Sequence, residues 1–345
     1  MASIGKFDHP VKKTTFDLVI VIVIHYIGKS LFCDQGLLMR LFRQSISARL
    51  ILSATGQVAL VIGVAMLVIG LQVHRSMEAR MRQDLQQTVA LVASMLDGFG
   101  SQLEQTARQL GSSWLLALPG PLVVESRVAD SVSATDEPLV RAGSQVLNQD
   151  VEWVDRFSSA TGAVATILVR RQDDLIRVST SVKGKDGQRE LGTSLDRHSP
   201  AYQRLMQGKP YTGRVMLFGR HYMADYRPIL DGTGQLVGAT FVGLDFTSSF
   251  QTFKQQVLQI KIGETGYVYA FEASSGADQG RLTIHPVKEG VSILDTRDIN
   301  GFAFTREMLA HKQGMVSYWW ANGERGESQA REKVAAYQHQ PRWNW

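Results

Sequence analysis

The sequence predicts an α+β protein that one helix anchors in a membrane. An apolar stretch early in the chain is long enough to cross a bilayer, and a helical apolar pattern follows it directly. Beyond these helices, short runs with the period-two alternation of β-strands occur in two groups, each with a short helix among them. Because the connections between strands are short, both sheets must be largely antiparallel. The predicted order is an anchor helix, a stalk helix and two α+β modules.

The composition of the 345-residue chain is that of a folded protein, with 44% hydrophobic and 20% charged residues. The net charge of +5 is scattered along the chain, so we predict no nucleic-acid partner. The single cysteine, Cys33, excludes an intramolecular disulfide and a thiolate metal cluster. The histidines do not fall at metal-ligand spacings, and we predict neither a metal nor a cofactor.

Residues 50–71 carry no ionisable side chain and are apolar on every side. At ~1.5 Å rise per residue, a helix of this length crosses a hydrocarbon core of ~30 Å. A buried core helix and a cleavable signal peptide are the two alternatives. Core helices are rarely so uniformly apolar, and the residues after the run lack a small-x-small cleavage site. We predict a transmembrane helix that stays attached to the protein.

The segment before this helix is interpreted in two parts. Residues 1–38 contain an apolar run that is too short to span a bilayer, and we interpret them as an upstream extension ahead of a start at Met39. Residues 39–49 then form a short cytoplasmic N-terminus. Arginines flank both ends of the predicted span, so the charge bias does not set its orientation.

Residues 72–110 are predicted to form a stalk helix that continues from the span. Apolar side chains recur there at alternating steps of three and four, which is the spacing of one face of a helix. This stripe packs either on its own domain or on a second copy of the chain, and we expect a homodimer through the stalk. The residues of the stripe are Met77, Met81, Leu85, Thr88, Val92, Met95 and Phe99.

The first module, residues 111–250, is predicted to begin with short helices and loops and then to form five strands. A helix follows the second strand, with Ser199 as its N-cap and Pro200 at its first position. The second module, residues 251–345, repeats this pattern but lacks a counterpart of the last strand. We therefore expect the sequence to be a fragment that stops before that strand and before a second span.

Two stretches of the modules resemble a known family. GETGYVYAFE and RLTIHPVKEG, within residues 263–290, resemble the second half of a Cache sensor, in which a strand after G-x-T-G precedes a strand that ends in His-Pro. The stretch from TGAVATILVR to FVGLDF, residues 161–246, is similar to the first half of a fused Cache type-3/type-2 domain. The resemblance covers residues 75–345.

This resemblance implies two PAS-like Cache modules in the extracytoplasmic input region of a bacterial methyl-accepting chemotaxis protein. It also implies an orientation, with the modules in the periplasm, the first one distal to the inner membrane, and Cys33 on the cytoplasmic side. Sensor histidine kinases and diguanylate cyclases carry similar input regions and are the alternatives. A membrane-anchored enzyme is a further alternative, and it would need an acid or base with a perturbed pKa in the ligand cleft.

The resemblance turns one strand into a candidate ligand site. In GRHYMADYRPI, Arg220 shares its parity with Tyr222 and Tyr226, so all three lie on one face of the sheet. A Cache sheet curls around a cavity, and we expect this face to line it together with Arg177 and Thr180 of the preceding hairpin. An arginine in an aromatic-walled pocket binds a carboxylate or another anion through two parallel hydrogen bonds.

Two alternatives to this site remain open. Arg220 could instead form an ion pair with Asp225 or Asp245. The pocket could also lie in the membrane-proximal second module, near Tyr267, Tyr269 and His285.

Overall fold

The computed structural model describes residues 2–5, 46–125, 138–323 and 326–345. The predicted upstream extension and cytoplasmic N-terminus lie outside the described residues, apart from 2–5 and 46–49. The chain divides into two compact units. One unit holds Ser94–Gln259, and the other holds Ile260–Trp345 with the chain up to Ala93.

The predicted span and stalk form one continuous helix, α1, which runs for 72 residues over Ile46–Ala117. From Ser53 onward, it contains a window of mean hydropathy 2.2, no part of which is buried. A helix of this length and composition is a candidate membrane span, as the sequence predicts. The same helix extends seven residues beyond the predicted end of the stalk.

The apolar stripe on α1 is covered in part by its own chain. Leu85 and Val92 are buried, and the Phe99 ring stacks on Phe253 with 5.1 Å between the ring centroids. Met77 and Met95 of the same stripe are exposed. Packing on its own domain therefore accounts for only some of the stripe.

The first module begins with a small antiparallel sheet, where the sequence predicts short helices and loops. That expectation is wrong, because residues after α1 pair as strands over β2 Leu122–Glu125, β3 Leu139–Ala142 and β4 Gln145–Val146. A helix, α2 Glu152–Thr161, follows and ends at Gly162, whose φ of 73° is readily adopted by glycine.

A five-stranded antiparallel sheet forms the body of the first module, in the order β6-β5-β9-β8-β7. The predicted strands, the inserted helix and the helix after the last strand are all confirmed, and Ser199 caps its helix by accepting a hydrogen bond from the Tyr202 N–H. The elements are β5 Val164–Arg171, β6 Asp174–Thr180, α3 Pro200–Met206, β7 Tyr211–Leu217, β8 Arg220–Leu230, β9 Leu236–Asp245 and α4 Thr247–Leu258.

The two faces of this sheet pack on different partners. One face meets α2 and the end of α1, where the fully buried Trp114 contacts Phe157. The other face meets α3, through Leu205 and Ala201 on the helix and Phe241 on the sheet. We call them the α1 face and the α3 face. Burial of this apolar surface on both sides is the main force that holds the module together.

The second module repeats the antiparallel sheet, as the sequence predicts. Its larger sheet has the order β10-β11-β1-β15-β14, and β12 pairs with β13 beside it. The elements are β10 Lys261–Ile262, β11 Gly266–Val268, β12 Ala270–Phe271, β13 Leu282–Ile284, α5 Phe304–His311, β14 Gln313–Trp320 and β15 Arg331–Gln338.

The central strand of this sheet comes from the far end of the chain. Strand β1, Ala2–Gly5, pairs antiparallel with both β11 and β15. In the first module the equivalent position, between β5 and β8, is held by the last strand, β9. The position that the sequence predicts to lack its own strand is thus the one that β1 occupies.

Candidate functional site

A cleft of about 610 Å³ lies on the α3 face of the first module. Its volume falls in the range of ~300–1,000 Å³ that is typical of small-molecule pockets. The cleft is bounded by α3 and the loop before it, by β7, and by side chains of β6 and β8. The polar residues that line it include Arg177, Glu190, Thr193, Ser194, Asp196, His198, Arg214 and Tyr226.

Arg177 is the most unusual of these residues, because its guanidinium is buried and has no acidic partner. The residue is 7% exposed. Its Nη1 donates to Thr193 Oγ1 at 2.8 Å and to the Ser194 carbonyl at 3.0 Å. In the described part of the chain no carboxylate lies within ion-pair distance of it, and Nε and Nη2 have no acceptor. These donors are therefore available to a molecule in the cleft.

The environment of Arg177 disfavours its charge. Burial lowers the pKa of the guanidinium, and the nearby Tyr226 and Glu190 only partly oppose this effect. A buried charge without a counter-ion raises the free energy of the folded state. An anion that binds beside Arg177 would remove that cost.

A β-bulge sets the direction of the Arg177 side chain. The register of β5 and β6 shifts between Ile167 and Leu168, so that Arg177 lies opposite Leu168 on the α3 face. The edge of β6 is covered by the segment 192–195, which pairs with it through backbone hydrogen bonds between Arg177 and Thr193 and between Leu195 and Leu175. The same segment supplies the two acceptors of Arg177.

Tyr226 reaches the cleft from β8. Its ring packs between Phe241 and Tyr211, with centroid distances of 4.7 and 6.4 Å. Burial raises the pKa of the hydroxyl, while the positive charge of Arg177 acts in the opposite direction. Within the ranges that the structure describes, no side chain or backbone group forms a hydrogen bond with this hydroxyl. It is a second donor that a ligand can use.

Thr180 shares the α3 face with Arg177 but does not line the cleft. The bulge again explains its direction, because Thr180 lies opposite Thr166, which has the parity of Leu168. The two threonine hydroxyls form a buried hydrogen bond of 2.6 Å. The structure gives Thr180 a structural contact and no access to a ligand in this cleft.

Arg220 and Tyr222 share the face of Tyr226, as the sequence predicts, but the expected position of Arg220 in the cavity is corrected by the structure. The Arg220 side chain is 68% exposed, and its Nη1 lies 3.0 Å from Asp245 Oδ2. This is the ion pair that the sequence offers as the alternative. Tyr222 is buried, and a Cβ at Gly243 would lie 3.2 Å from its Cδ1. Neither residue lines the cleft, although Val215 and Leu217, which are opposite them on β7, do.

The position of Asp245 explains why the pair forms outside the cleft. Asp245 is the last residue of β9 and is opposite Tyr222 of β8. Burial raises the pKa of its carboxyl, but hydrogen bonds from Thr247 and Arg220 lower the pKa by more than burial raises it. The pKa of Asp245 is therefore below the ordinary value. The carboxylate stays ionised and holds Arg220 at the rim.

A smaller cavity lies in the second module, where the sequence offers its alternative pocket. It measures about 50 Å³ and is lined by Tyr267, Tyr269 and His285, among others. His285 Nδ1 accepts the backbone N–H groups of Val287 and Lys288, so its proton is on Nε2, 3.3 Å from Tyr267 Oη. Since ~10–15 Å³ holds one water, this space takes about four water-sized groups. The larger cleft of the first module is the better candidate.

Sequence reasoning missed most of the polar residues that line the cleft, including Glu190, Asp196 and His198. Thr193 and Ser194 lie in a loop between the hairpin and α3, and Arg214 lies on β7. The parity of β7 gives no signal for Arg214, because Tyr211 and Val215 share the face of Tyr226 whereas Arg214 is opposite Met223. No local pattern marks the loop, whose place is fixed only by its pairing with β6.

Several solved structures resemble the chain at low sequence identity. The periplasmic sensory domain of the Campylobacter jejuni chemoreceptor Tlp1 is 11% identical, with a TM-score of 0.36 over 75% of this chain and 95% of that one. The ligand-binding domain of Campylobacter jejuni Tlp3 in complex with L-valine is 9% identical, with a TM-score of 0.34 over 76% and 95%. The periplasmic domain of RsbU from Chlamydia trachomatis is 12% identical, with a TM-score of 0.37 over 77% and 96%.

No curated protein sequence matches the chain. One family model does, and it is that of the Cache 3/Cache 2 fusion domain, which matches residues 71–345. The match includes both α+β modules and most of α1 after the apolar segment. On this match, together with the two antiparallel modules, the chain belongs to the Cache 3/Cache 2 fusion family of sensory domains.

Proposed function

We propose that the chain is the extracytoplasmic input region of a transmembrane chemoreceptor and that its first module binds a small anionic molecule. The observation that carries the proposal is Arg177, a buried guanidinium without an acidic partner among the described residues, in a cleft of about 610 Å³. A carboxylate or phosphate would accept hydrogen bonds from its Nε and Nη2 in the two-point geometry that arginine favours. The Tyr226 hydroxyl would add a third contact.

The charge of the cleft limits the kind of anion. Glu190 and Asp196 also line it, and their carboxylates repel a ligand that is negative throughout. The favoured ligand therefore carries one anionic group toward Arg177 and a neutral or positive part toward these acids. We propose that it binds without being chemically changed.

A screen of matched compound pairs tests this proposal. The full chain in lipid nanodiscs is titrated with acetate, lactate and succinamate, each beside its neutral relative acetamide, lactamide or succinamide, and the melting temperature is followed. A ligand at ~100 times its dissociation constant adds ~2.7 kcal/mol to the free energy of unfolding. We expect stabilisation by at least one anion and none by its neutral relative.

Single substitutions then assign the site. Arg177→Met should weaken binding of that anion at least tenfold, and Tyr226→Phe should weaken it less. Arg171→Met is a matched control, since Arg171 is exposed on the same hairpin. Arg220→Met should also leave affinity unchanged. Stabilisation by neutral or cationic compounds alone, or unchanged affinity in Arg177→Met, would contradict the proposal.

We further propose that α1 pairs with a second copy of the chain. Leu91 and Met95 are one helical turn apart and both exposed, and Met77 lies two heptads before Leu91. In a Cys33→Ser background, Leu91→Cys should form a disulfide-linked dimer on mild oxidation. Gln86→Cys, which is exposed and about 140° away around the helix, should not.

The output to which this region is joined is a separate question. Sensor histidine kinases and diguanylate cyclases are the alternatives to a chemoreceptor, because one input fold serves several outputs. Fusion of the chain to a chemoreceptor signalling domain, followed by measurement of kinase control in response to the anion, tests the first choice. A chimera that inserts and binds but never changes kinase activity would favour the alternatives.

A further inference from the structure

Strand β8 places consecutive residues on opposite sides of the first-module sheet. Tyr226 faces the cleft on the α3 face. Its neighbours Asp225 and Arg227 face α1 on the other side, because side chains alternate along a strand. The ligand cleft and the long helix are thus connected through three consecutive residues of one strand.

The contacts of this strand with α1 are polar and directional. Arg227 Nη2 donates to the Arg108 carbonyl at 2.7 Å and to Ser112 Oγ at 2.9 Å. Its Nε lies 2.7 Å from Asp225 Oδ2, and Asp225 in turn accepts a hydrogen bond from Thr212 Oγ1 at 2.8 Å. We call Asp225, Arg227 and Ser112 the helix clamp.

Burial makes the helix clamp sensitive to geometry. The Asp225 carboxylate is 3% exposed, and the Arg227 side chain is about one quarter exposed. In such a setting a displaced partner leaves a charge that water cannot easily solvate. The strand and the helix must therefore move together or lose these contacts.

We propose that the helix clamp couples occupancy of the cleft to the position of α1. The inference rests on the proposed function in one respect, that the ligand binds between Arg177 and Tyr226. These residues stand on β6 and β8, which β5 and β9 separate. An anion held by both draws the two strands toward each other, so the sheet bends and β8 shifts against α1. The helix that receives this shift also carries the apolar segment.

A double-mutant cycle read by hydrogen–deuterium exchange tests the coupling without a ligand. Arg177→Met removes the hydrogen bonds that join β6 to Thr193 and Ser194, so it perturbs the β6 side of the cleft without a ligand. In the full chain in nanodiscs, this substitution should change exchange rates of the α1 amides over residues 104–117 at least threefold. In an Arg227→Met background the same substitution should leave those rates unchanged.

Controls separate coupling from loss of structure. Arg220→Met removes an ion pair from the same strand without touching α1, so the effect of Arg177→Met should persist in that background. Ser112→Ala is a milder change that removes one hydrogen bond of the helix clamp, and it replaces Arg227→Met if that variant does not fold. The effect of Arg177→Met should be smaller in the Ser112→Ala background than in the wild type. Equal effects of Arg177→Met in the wild-type, Arg227→Met and Ser112→Ala backgrounds would overturn the proposal, as would no effect on α1 in any of them.

The outcomes for coupling and for anion binding are distinguishable. If no anion binds but the cycle is non-additive, the proposed function fails and the coupling stands. If an anion binds at Arg177 and the cycle is additive, the coupling fails alone. Coupling is also reciprocal, so a ligand that binds should show a changed affinity in Arg227→Met.

Discussion

Gly111 of α1 approaches Asp225 of β8 so closely that a side chain at Gly111 would overlap the carboxylate. A Cβ at Gly111 would collide with Asp225 Oδ2 and lie 3.0 Å from Cγ, and Arg227 Nε would be 3.2 Å away. Glycine inside a helix is less stable than alanine by about 1 kcal/mol. Here the close approach of the helix and the sheet gives a reason for it.

We expect Gly111→Ala to lower the free energy of unfolding by about 1–3 kcal/mol, which is the usual range for an overpacked buried contact. Gly98→Ala is the matched control, because Gly98 lies in the same helix and a Cβ there would have no neighbour within 4 Å. That variant should be more stable by up to about 1 kcal/mol. Urea denaturation of both variants provides the measurement. Equal stabilisation by the two substitutions would show that the contact is not close.

Replacement of Arg177 should separate stability from binding. Burial lowers the pKa of this guanidinium, which means that the folded state disfavours its charge. We expect Arg177→Met to raise the unfolding free energy by about 1 kcal/mol while weakening anion binding at least tenfold, because residues kept for function are often not the most stable choice. Arg189→Met is the comparison and should lower stability, because Arg189 makes two hydrogen bonds to Asp155. A large stability loss in Arg177→Met would instead indicate a structural role.

The second module should lose stability in acid through Glu327. Burial raises the pKa of this carboxyl, but hydrogen bonds from Lys333, Asn322 and Arg331 outweigh it and lower the pKa to about 2. A folded-state pKa below the unfolded value gives stability that is fully present above pH ~5 and is lost as the pH falls toward 2.

The expected loss is on the order of 2 kcal/mol across that range. Glu327→Gln should reduce stability at pH 7 and flatten its dependence on pH between 5 and 2. Denaturation with urea at pH 7, 5 and 3 measures both effects. If the wild type and the variant show the same slope, Glu327 does not control this transition.

The lone cysteine reports the orientation of the chain. If the modules are periplasmic and residues 39–49 cytoplasmic, an impermeant maleimide should not label Cys33 in intact cells and should label it after lysis. Ser101→Cys in a Cys33→Ser background is the positive control, since residue 101 is exposed on α1 after the apolar segment. Labelling of Cys33 from outside would instead place Cys33 on the same side of the membrane as the modules. Residues 2–5 lie on that side if β1 pairs with β15 in the second-module sheet.

Most elements from β5 onward were predictable, because each of them has a local signal in the sequence. Period-two alternation predicts β5 through β9 to within about two residues, and a Ser-Pro pair predicts the start of α3. The strands β2 to β4 were not predicted, because each has only two to four residues and therefore shows no clear alternation. β2 also pairs with β3 across a separation of 13 residues along the chain. The pairing of β1 with β11 and β15 joins residues more than 260 positions apart and has no local signal.

The site was predictable only in part for a related reason. Parity places Arg220, Tyr222 and Tyr226 on one face, and the structure agrees. Parity does not tell how far along the strand the cleft lies, and Arg220 is at the strand end, where it meets Asp245. For Arg177 and Thr180 the bulge in β5 and β6 allows two residues of opposite parity to share a face. The position of such a bulge depends on how the two strands pair and pack, and no residue pattern in the sequence marks it.

The segment 192–195 does two things at once, because it closes the outer edge of β6 and lines the cleft. An open sheet edge is a template for pairing with other chains, and proteins protect such edges with loops or charges. Ligand preference and protection of the edge therefore depend on one short segment, of which Thr193, Ser194 and Leu195 line the cleft. Any redesign of the cleft at Thr193 or Ser194 must keep the backbone pairing with Arg177 and Leu175, because its loss would leave β6 as an open sheet edge.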